Sequence, residues 1–511
     1  MPEYLRALVA ILIVAAAVFL AARGPACARA MAEADFRRRR NLWLGLTVLA
    51  FLAHDFWFFT AAASLVFLVA GRRDPQPLAL FFFLLFAVPA IASEISGFGL
   101  ARQFFAISYP RLLSLTVLLP AALVLLLDGQ ERSPSTRWPD RLLAAYLILT
   151  LALQFTVDSF TNTLRHGFYD LMDVVLPYYV ASRSLRRLED IREALMSFAV
   201  AALVLAATGV VEYAKGWLLY RSLDSLLGVD WAYGAYLQRG ESLRALATTG
   251  QPIALGFVMA VAGGLFLALR PAVPNRTAWR LGLGLLAAGL LAPVSRGPWL
   301  GAAVGGAVFL ATGRQPLENL LKLALAVLLA APVVLATPLG DILLERLPFF
   351  GAAETETVAY RQRLLAMSLD VIRQNPFFGS FDFLRYLEDL RQGQGIIDIV
   401  NTYLGVALAS GLVGLALFVS FFLAIAAGVY RAWRLARDPD DELHRLGRAL
   451  LATLAAILTI IFTVSSITVI PIVYWSVAGL GLAYIGLSER RQPAVAALHP
   501  APAAGIAGLQ A

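Results

Sequence analysis

The sequence predicts an all-α, polytopic integral membrane protein with about 14–15 transmembrane helices. Of its 511 residues, 59% are hydrophobic and only 15% are charged, and the mean hydropathy is +0.73. A soluble protein of this length could not cover so much apolar surface with so few charges. Apolar windows of roughly 17–25 residues, the length that crosses the hydrocarbon layer of a bilayer, recur from end to end. We therefore expect most of the chain to be surrounded by lipid.

The apolar segments follow one another with short polar turns between most of them. The first segment has no basic region before it, so we interpret it as a retained span rather than a cleaved signal peptide. The stretch 41–71, with His54 and Asp55 at its centre, is long for one span and short for two. Counted as two, the predicted spans are 4–22, 41–53, 56–71, 77–98, 111–127, 141–157, 167–183, 194–215, 251–269, 279–294, 297–313, 319–338, 402–430, 448–467 and 470–488.

The arginines decide between these alternatives and set the orientation. Short cytoplasmic loops are enriched in arginine and lysine, whereas short external loops are not. If 41–71 is a hairpin, the arginine-rich loops all fall on one face, and a single span would break this alternation. We therefore predict a hairpin, an external N-terminus and a cytoplasmic face made by residues 37–40, 72–73, 132–141, 183–187, 270–280, 314 and 431–448.

The predicted domains follow from this topology. They are N-terminal transmembrane helices at 1–215, an external loop at 216–250, central transmembrane helices at 251–338, a large external loop with amphipathic helices at 339–401, C-terminal transmembrane helices at 402–488, and a disordered cytoplasmic tail at 489–511. The single cysteine and four scattered histidines predict neither a metal site nor a cofactor. The net charge of +8 indicates topology and attraction to anionic lipid rather than a nucleic-acid partner.

Arg296 is unusual because short external turns normally exclude arginine. It lies in LLAPVSRGPWLGAAVGG (290–306), where Pro293 ends one predicted helix and Pro298 begins the next. The guanidinium would then lie at a helix N-terminus, a place that favours anions. An arginine that extends to lipid headgroups explains the same sequence equally well. Arg244, in RALATTGQPIALG (244–256), also precedes a span, although alone it is more simply an ordinary loop arginine.

Two stretches around the large external loop carry further polar residues. Apolar residues recur at helical spacing in TVAYRQRLLAMSLDVIRQNPFFG (357–379), which predicts an amphipathic surface helix that ends at Asn375 and is opened by Arg361 and Arg363. In IDIVNTYLGVALASGLVGLALF (397–418), Asp398, Asn401 and Tyr403 lie at the outer end of a long apolar helix. An N-cap and an aromatic belt explain Asn401 and Tyr403, and Asp398 is positioned to pair with an arginine.

Several arginines at the outer leaflet suit an anionic ligand that approaches from the membrane. Arginine keeps its charge and presents a planar set of donors that matches phosphate oxygens. A lipid-linked diphosphate fits, with its headgroup at the arginines and its chain between helices. In glycosyl transfer from such a donor, preplaced guanidinium groups would stabilise the charge that grows on the leaving diphosphate without a metal ion. The acceptor hydroxyl would still need a group that takes its proton.

Over roughly residues 240–485 the sequence resembles the bacterial O-antigen ligase and O-antigen or exopolysaccharide polymerase family. The resemblance rests on the order and spacing of RALATTGQP (244–252), SRGPWLG (295–301), YRQRLLAMSLDVIRQNPFFG (360–379) and VNTYLGVALASGLVGLALF (400–418). It implies an inner-membrane glycosyltransferase with a GT-C-like fold, an active site that faces the periplasm, and a role in lipopolysaccharide or exopolysaccharide synthesis. It also implies four partners: an undecaprenyl-diphosphate-linked oligosaccharide, an acceptor glycan, the lipid bilayer and other polysaccharide assembly proteins.

The resemblance also implies roles for individual residues. Arg244 and Arg296 would contact the diphosphate, Arg361 would open the periplasmic helix in the substrate cavity, and Asn401 and Tyr403 would lie at the catalytic mouth. The predicted catalytic residues are Arg244, Arg296 and Asp398, and the predicted substrate-binding residues are Arg361, Arg363, Asn401 and Tyr403.

One departure from the family pattern concerns the acceptor. Ligases carry His-Asn where this chain has Val400-Asn401, so the histidine that would activate the acceptor is missing, and Asp398 is a candidate substitute. This favours a polymerase over a ligase that transfers glycan to the lipid A core, and it leaves another acceptor or an inactive protein as alternatives. A transporter or flippase for lipid-linked sugars ranks below the enzyme, since such proteins carry charge near the bilayer midplane and show related halves.

Overall fold

A computed structural model gives the architecture of the protein and describes residues 1–97, 103–129, 134–231, 234–239, 242–335, 355–391, 397–436, 438 and 440–498. The chain is 76% helical, which confirms the predicted all-α polytopic class. Two short antiparallel hairpins accompany the helices. Strand β1 (Ala92–Ser96) pairs with β2 (Gln103–Ser108), and β3 (Gln238–Arg239) pairs with β4 (Ser242–Leu243).

The helices follow the predicted order along the chain. In the first half they are α1 (Glu3–Cys27), α2 (Glu33–Leu52), α3 (Phe56–Arg73), α4 (Pro77–Leu84), α5 (Tyr109–Leu127), α6 (Pro134–Phe155), α7 (160–184), α8 (Leu188–Lys215) and α9 (Leu223–Leu227). In the second half they are α10 (Pro252–Ala268), α11 (Arg276–Leu291), α12 (Arg296–Ala311), α13 (Pro316–Leu335), α14 (Thr355–Gln374), α15 (Thr402–Leu435), α16 (Glu442–Ile461) and α17 (Ile470–Leu498). Short 3₁₀ helices cover Ala247–Thr249 and Phe383–Leu390.

Seven of the described helices are long and apolar enough to cross a membrane, which makes this a multi-pass membrane protein. They are α1, α3, α5, α8, α15, α16 and the part of α17 at Ile470–Arg491. The number is lower than the predicted 14–15 because several apolar segments form shorter helices, such as α10, or carry arginines inside the helix, as α2 does.

The ambiguous stretch 41–71 forms two helices, as we preferred. Helix α2 ends at Leu52 and α3 begins at Phe56. Asp55 is the N-cap of α3, and its carboxylate accepts a hydrogen bond of 2.7 Å from the backbone N–H of Phe58. A capping aspartate accepts a hydrogen bond from a backbone N–H of the first helical turn, which has no partner within the helix. The polar residues at the centre of this stretch therefore mark the turn between two helices.

The prediction of a span over 77–98 is wrong. Helix α4 ends at Leu84, and the chain reaches strand β1 at Ala92. Every residue from Leu78 to Val88 is nevertheless buried inside the protein. A short apolar run signals burial but does not reveal whether lipid or protein covers it. Here the covering surface is protein, chiefly helix α8.

Helices α5 and α7 each contain one π-helical turn, at Ser114–Leu118 and Leu171–Val175. In both helices a proline follows the π-helical turn at the second residue of the next α-helical segment, Pro120 in α5 and Pro177 in α7. Proline lacks the N–H that an α-helix requires and collides with the carbonyl four residues earlier. The wider turn accommodates the proline without ending the helix.

The arginine-rich loops lie together at one end of the bundle, as the predicted alternation requires. Ion pairs connect loops that are far apart in sequence: Arg38–Asp74, Arg39–Glu193, Arg183–Asp140, Arg186–Asp128, Arg192–Glu442, Arg314–Asp440 and Arg491–Asp441. We call this end the paired end and the opposite end the outer end. The assignment of the paired end to the cytoplasm remains a prediction.

The centre of the paired end is a buried guanidinium. Arg39 is 0% exposed and lies 2.7 Å from a carboxylate oxygen of both Asp74 and Glu193. Burial raises the pKa of Asp74, but hydrogen bonds from Arg39 and Arg38 outweigh this and lower it below the ordinary aspartate value. Asp74 therefore remains ionised, and the contacts of Arg39 with Asp74 and Glu193 connect α2, α3 and α8.

The last helix is longer than predicted. Helix α17 runs to Leu498, so residues 489–498, which we assigned to a disordered tail, are helical. The remainder of the predicted tail, 499–511, and part of the predicted loop 339–401, namely 339–354 and 392–396, lie outside the described residues.

Helix α15 is broken at Gly411, which adopts a left-handed φ of +65°. Beyond the break, the N–H groups of Leu412 and Val413 donate to the carbonyls of Pro376 and Phe377 at 2.8 and 3.1 Å. A helix break inside a membrane protein requires such partners, because lipid offers none. The segment that follows α14 therefore completes α15.

The segment after α14 crosses α15 at a second glycine, Gly379. The N–H of Ser380 donates to the carbonyl of Leu408 at 2.8 Å, and Gly379 beside it has a φ of +65°. A Cβ on Gly379 would lie 2.4 Å from that carbonyl oxygen, and one on Gly411 would lie 2.3 Å from the carbonyl of Phe377. Only glycine permits backbones to approach so closely in this conformation.

Candidate functional site

A buried carboxylate organises the loop that carries Arg244. Glu212, near the end of α8, is 1% exposed. It accepts hydrogen bonds from the backbone N–H groups of Leu219, Leu246 and Ala247 at 3.0, 2.9 and 2.8 Å. A buried charge is tolerated when several donors surround it, and these donors hold the backbone on both sides of the outer loop. Glu212 thereby fixes the position of the segment that follows Arg244.

Arg244 and Arg296 meet at one turn. The Nε–H of Arg244 donates to the carbonyl of Pro293 at 3.1 Å, and Arg296 is the first residue of α12, three residues later. Both arginines are half-buried at the outer end. The structure therefore brings together two residues that are 52 positions apart in sequence. The arrangement concentrates positive charge at a helix N-terminus, which favours an anion.

The backbone around these arginines is strained. Among the described non-glycine residues, positive φ values occur at His54, Ala247, Val294 and Thr468. Ala247 follows Arg244, Val294 precedes Arg296, and Thr468 follows the loop that packs on α12. A β-branched residue such as Val294 rarely adopts this conformation, and strain of this kind concentrates at functional sites.

The start of α12 packs on the loop after α16. A Cβ on Gly297 would lie 2.3 Å from the Thr463 hydroxyl oxygen, so the two backbones are in close contact. On the other side of this loop, both the N–H and the hydroxyl of Thr402 donate to the carbonyl of Val464, at 3.1 and 2.8 Å. One loop thus separates Arg296 from the start of α15.

Asn401 and Asp398 occupy the outer end of α15. The Asn401 side chain caps the helix by accepting a hydrogen bond of 3.2 Å from the N–H of Leu404. We expected Asp398 to pair with an arginine, but its carboxylate accepts a hydrogen bond of 2.7 Å from the Ser465 hydroxyl instead. Asp398 therefore connects the external loop to the loop after α16.

Tyr403 is a packing residue in this structure. Its hydroxyl donates to the carbonyl of Leu458 at 3.0 Å. Its ring contacts Phe418 and Phe462 at centroid distances of 6.0 and 6.2 Å. These contacts place the side chain between α15 and α16, beside the site rather than inside it.

The external helix α14 presents its arginines to solvent. Arg361 and Arg363 are exposed, and the structure does not bring them to Arg296. The neighbouring Tyr360 faces inward, where its hydroxyl donates to the carbonyl of Asp398 and accepts from the Asp398 N–H, both at 3.1 Å. Leu364, on the same side of α14, is buried against α15 and the 3₁₀ helix. The inward side of α14 therefore orients the segment that carries Asp398.

An apolar groove of about 270 Å³ lies between α10, α11, α12 and α16. Small and aliphatic residues line it, among them Met259, Gly263, Leu286, Leu290 and Gly306. Gly263 and Gly306 have open space where a Cβ would lie. Because α12 begins at Arg296 and α11 ends beside Pro293, the groove runs along the helices that start or end at the two arginines. We call it the tail groove.

The sequence analysis missed several residues of this site. Glu212 had a signal, because an ionisable residue inside an apolar helix is a functional candidate by default. Ser465 and Tyr360 had none, since hydroxyl residues near helix ends are common and their partners are distant in sequence. Within the described ranges, no group of three or more His, Cys, Asp or Glu side chains could hold a metal ion.

Comparison with protein-family models finds a match inside the chain. Residues 281–419 match the family model described as O-antigen ligase, which confirms the predicted resemblance. The matched region runs from α11 into α15 and includes Arg296, Arg361, Arg363, Asp398, Asn401 and Tyr403. Arg244 lies before it. No curated protein matches the chain.

Proposed function

We propose that the chain, whose residues 281–419 match the O-antigen ligase family model, is a membrane glycosyltransferase that uses an undecaprenyl-diphosphate-linked glycan as donor. Within this proposal, it polymerises or transfers the oligosaccharide on the periplasmic face of the bacterial inner membrane. The observation that carries the proposal is the convergence of Arg244 and Arg296 on the turn at Pro293.

The surroundings of the two arginines support a diphosphate ligand. Glu212 and Asp398, the carboxylates of the two adjoining segments, form no ion pair with an arginine in the described part of the chain. Glu212 binds backbone N–H groups and Asp398 binds Ser465. Guanidinium groups at a helix start provide several donors for phosphate oxygens.

The tail groove supports a lipid-linked donor. A polyprenyl chain needs an apolar path near its phosphate. The tail groove runs along α11 and α12 from Leu290 and Ala302 inward, and these are the helices that end and begin at the turn that carries Arg296. Substitution Gly306→Leu would fill the groove and should slow transfer. Gly45→Leu, on the exposed side of α2 where a Cβ has open space, should not. Equal effects of the two substitutions would exclude the groove as the path of the chain.

The arginines would act on the leaving group. As the acceptor oxygen bonds to the anomeric carbon of the donor, the carbon–oxygen bond to the diphosphate breaks and negative charge grows on the diphosphate. Preplaced donors that bind this charge more strongly in the transition state accelerate the reaction. We propose that the guanidinium groups perform this role without a metal ion.

Polymerisation remains the preferred activity within the family. Val400 stands where ligases carry the histidine that activates the acceptor. Transfer to the lipid A core or to another acceptor is the alternative. The test should therefore supply both kinds of acceptor.

The experiment is glycan transfer by purified protein in lipid nanodiscs. We expect longer glycans from an undecaprenyl-diphosphate oligosaccharide, in the presence of EDTA as well as in its absence. Arg296→Ala should abolish transfer. Arg373 lies on α14 with its side chain 76% exposed, and Arg373→Ala should leave transfer unchanged. Movement of the lipid-linked sugar between leaflets without bond formation would instead indicate a transporter. Transfer that EDTA abolishes would contradict the metal-independent mechanism.

A further inference from the structure

A second cavity lies on the far side of the loop 463–466 from Arg296. It has a volume of about 400 Å³ and is lined by α6, α7, α15 and the segment from Ser465 to Trp475. We call it the polar cavity. Its polar lining includes Gln154, Asp170, Asp173, Asn401, Thr402 and Ser465, and its aromatic lining includes Tyr146, Phe418 and Trp475. A concave apolar surface with a few convergent polar groups is typical of a ligand site.

The polar cavity is separated from the proposed donor site by the loop 463–466. Asn401, Thr402 and Ser465 line it, and the same residues form the start of α15 and its contact with the loop after α16. Arg296 lies against the opposite side of that loop, through Gly297 and Thr463. A glycan in the polar cavity would therefore end near the anomeric carbon of a donor held at the arginines.

The two carboxylates of the polar cavity are not equivalent. Asp173 is held by Arg111, whose Nη2 and Nε lie 2.8 and 3.0 Å from one carboxylate oxygen. Arg111 is itself fixed over the ring of Tyr169, 3.8 Å from the centroid. Asp170 lies one helical turn earlier on α7, and its carboxylate has no hydrogen bond or ion pair with any residue of the described ranges. Asp173 is therefore structural, and Asp170 remains able to accept a proton.

The charge of the polar cavity selects a neutral ligand. A diphosphate would be repelled by Asp170, whereas the charge of Asp173 is compensated by Arg111, and the diphosphate is attracted to the arginines on the other side of the loop. A glycan hydroxyl, in contrast, donates well to a carboxylate, and the amides of Asn401 and Gln154 can bind further hydroxyls. The two substrates of a glycosyl transfer would thus be sorted by charge.

We propose that the polar cavity binds the acceptor glycan and that Asp170 takes the proton of the attacking hydroxyl. This inference rests on the proposed function. The acceptor oxygen bonds to the anomeric carbon, the bond from that carbon to the diphosphate oxygen breaks, and its electron pair leaves with the lipid diphosphate. The hydroxyl proton passes to the Asp170 carboxylate and then to water. Asp170 replaces Asp398 as the candidate base, because Asp398 is bound by Ser465.

The first test separates proton transfer from donor binding. Asp170→Asn should lower the turnover number by about 10²–10⁴-fold, the usual contribution of a general base. It should also remove the acidic limb of the pH–rate profile, which His166→Gln, at the histidine that lines the same cavity, should leave in place, while the binding of labelled undecaprenyl diphosphate is unchanged in both variants. Asp170→Glu should recover part of the rate. Asp370→Asn, an exposed carboxylate on α14, is the control and should behave as wild type.

The second test probes the polar cavity itself. Ala409 lines it, and Ala409→Phe should raise the KM for the acceptor at least tenfold. Ala416→Phe places the same side chain on the exposed side of the same helix and should have no effect. The binding of a soluble acceptor oligosaccharide, measured by saturation-transfer NMR, should be lost in Ala409→Phe and kept in Ala416→Phe.

The outcomes distinguish this inference from the proposed function. If wild type transfers glycan and Asp170→Asn does so at the same rate and with the same pH profile, the inference is wrong while the proposed function stands. If wild type transfers no glycan, the proposed function fails. The NMR experiment then decides whether the polar cavity binds glycan at all. Equal binding by the Ala409→Phe and Ala416→Phe proteins would show that it does not.

Discussion

The two ends of the helix bundle hold their charges in different ways. At the paired end, Arg39, Arg192 and Arg314 each bind a carboxylate from a distant part of the sequence. At the outer end, Glu212 and Asp398 instead bind backbone N–H groups and a serine hydroxyl. Charge therefore connects helices at the paired end, and it positions loops at the outer end. Substitutions at the two ends should accordingly change different properties.

The largest effect is expected at the centre of the paired end. Asp74→Ala removes one of the two carboxylates that bind the fully buried Arg39, and breaking a buried pair costs about 3–5 kcal/mol of unfolding free energy. The measurement is unfolding in detergent monitored by circular dichroism. Asp440→Ala is the matched control, because Asp440 and Arg314 are 71% and 61% exposed and such pairs contribute about 0–1 kcal/mol. Equal losses in the two variants would show that burial does not determine the strength of these pairs.

Substitution of Arg244 at the outer end should change activity without changing stability. Arg244→Ala should lower glycan transfer by about 10²–10³-fold, as removal of one preplaced donor to a developing anion does in other enzymes. Arg244→Lys keeps the charge but loses the Nε–H that binds the Pro293 carbonyl, so an intermediate rate is expected. Arg373→Ala serves as the control. A fall in unfolding temperature that parallels the fall in rate would assign Arg244 a structural role.

This contrast was only partly predictable from the sequence. The arginine pattern predicted that the loops of the paired end lie together. The positive-inside rule needs only the number of arginines and lysines in each short loop, and these can be counted in the sequence. Hydropathy also located nearly every helix. It could not separate lipid from protein as the covering surface, so it assigned a span to 77–98, where the chain is buried against α8.

The candidate site was less predictable for a physical reason. Arg244 and Arg296 were recognisable because charge at an external helix boundary is rare, and the structure places them at one turn. Arg361 was recognisable as a polar residue of a surface helix. Its exposure to solvent follows from which side of α14 packs inward, and the sequence alone did not determine that side. The polar cavity that contains Asp170 is formed by five segments far apart in sequence, and no local pattern encodes such a meeting.

A smaller effect is expected where the outer end uses a charge to hold a loop. In Glu212→Gln, one carboxylate oxygen becomes an NH₂ group that cannot accept the N–H groups of Leu246 and Ala247 or of Leu219. Hydrogen bonds to charged groups contribute about 1.5–3 kcal/mol, so we expect a loss of that order together with slower transfer. Hydrogen exchange should show faster exchange at 244–249. Glu94→Gln, an exposed carboxylate on β1, is the control, and unchanged exchange in Glu212→Gln would contradict the positioning role.

The smallest effect is expected where the outer end depends on backbone contact rather than charge. Gly411→Ala imposes a Cβ at a φ of +65°, 2.3 Å from the carbonyl of Phe377, and should cost more than about 1 kcal/mol. The segment after α14 should then detach from the break in α15, which limited proteolysis of residues 376–391 would detect. Gly45→Ala, inside α2 with open space around its Cβ, should be neutral or stabilise the helix by about 0.5–1 kcal/mol. If the Gly411→Ala and Gly45→Ala proteins resist protease to the same degree, the close crossing does not hold the external segment. The apolar side of α14 must then fix that helix alone.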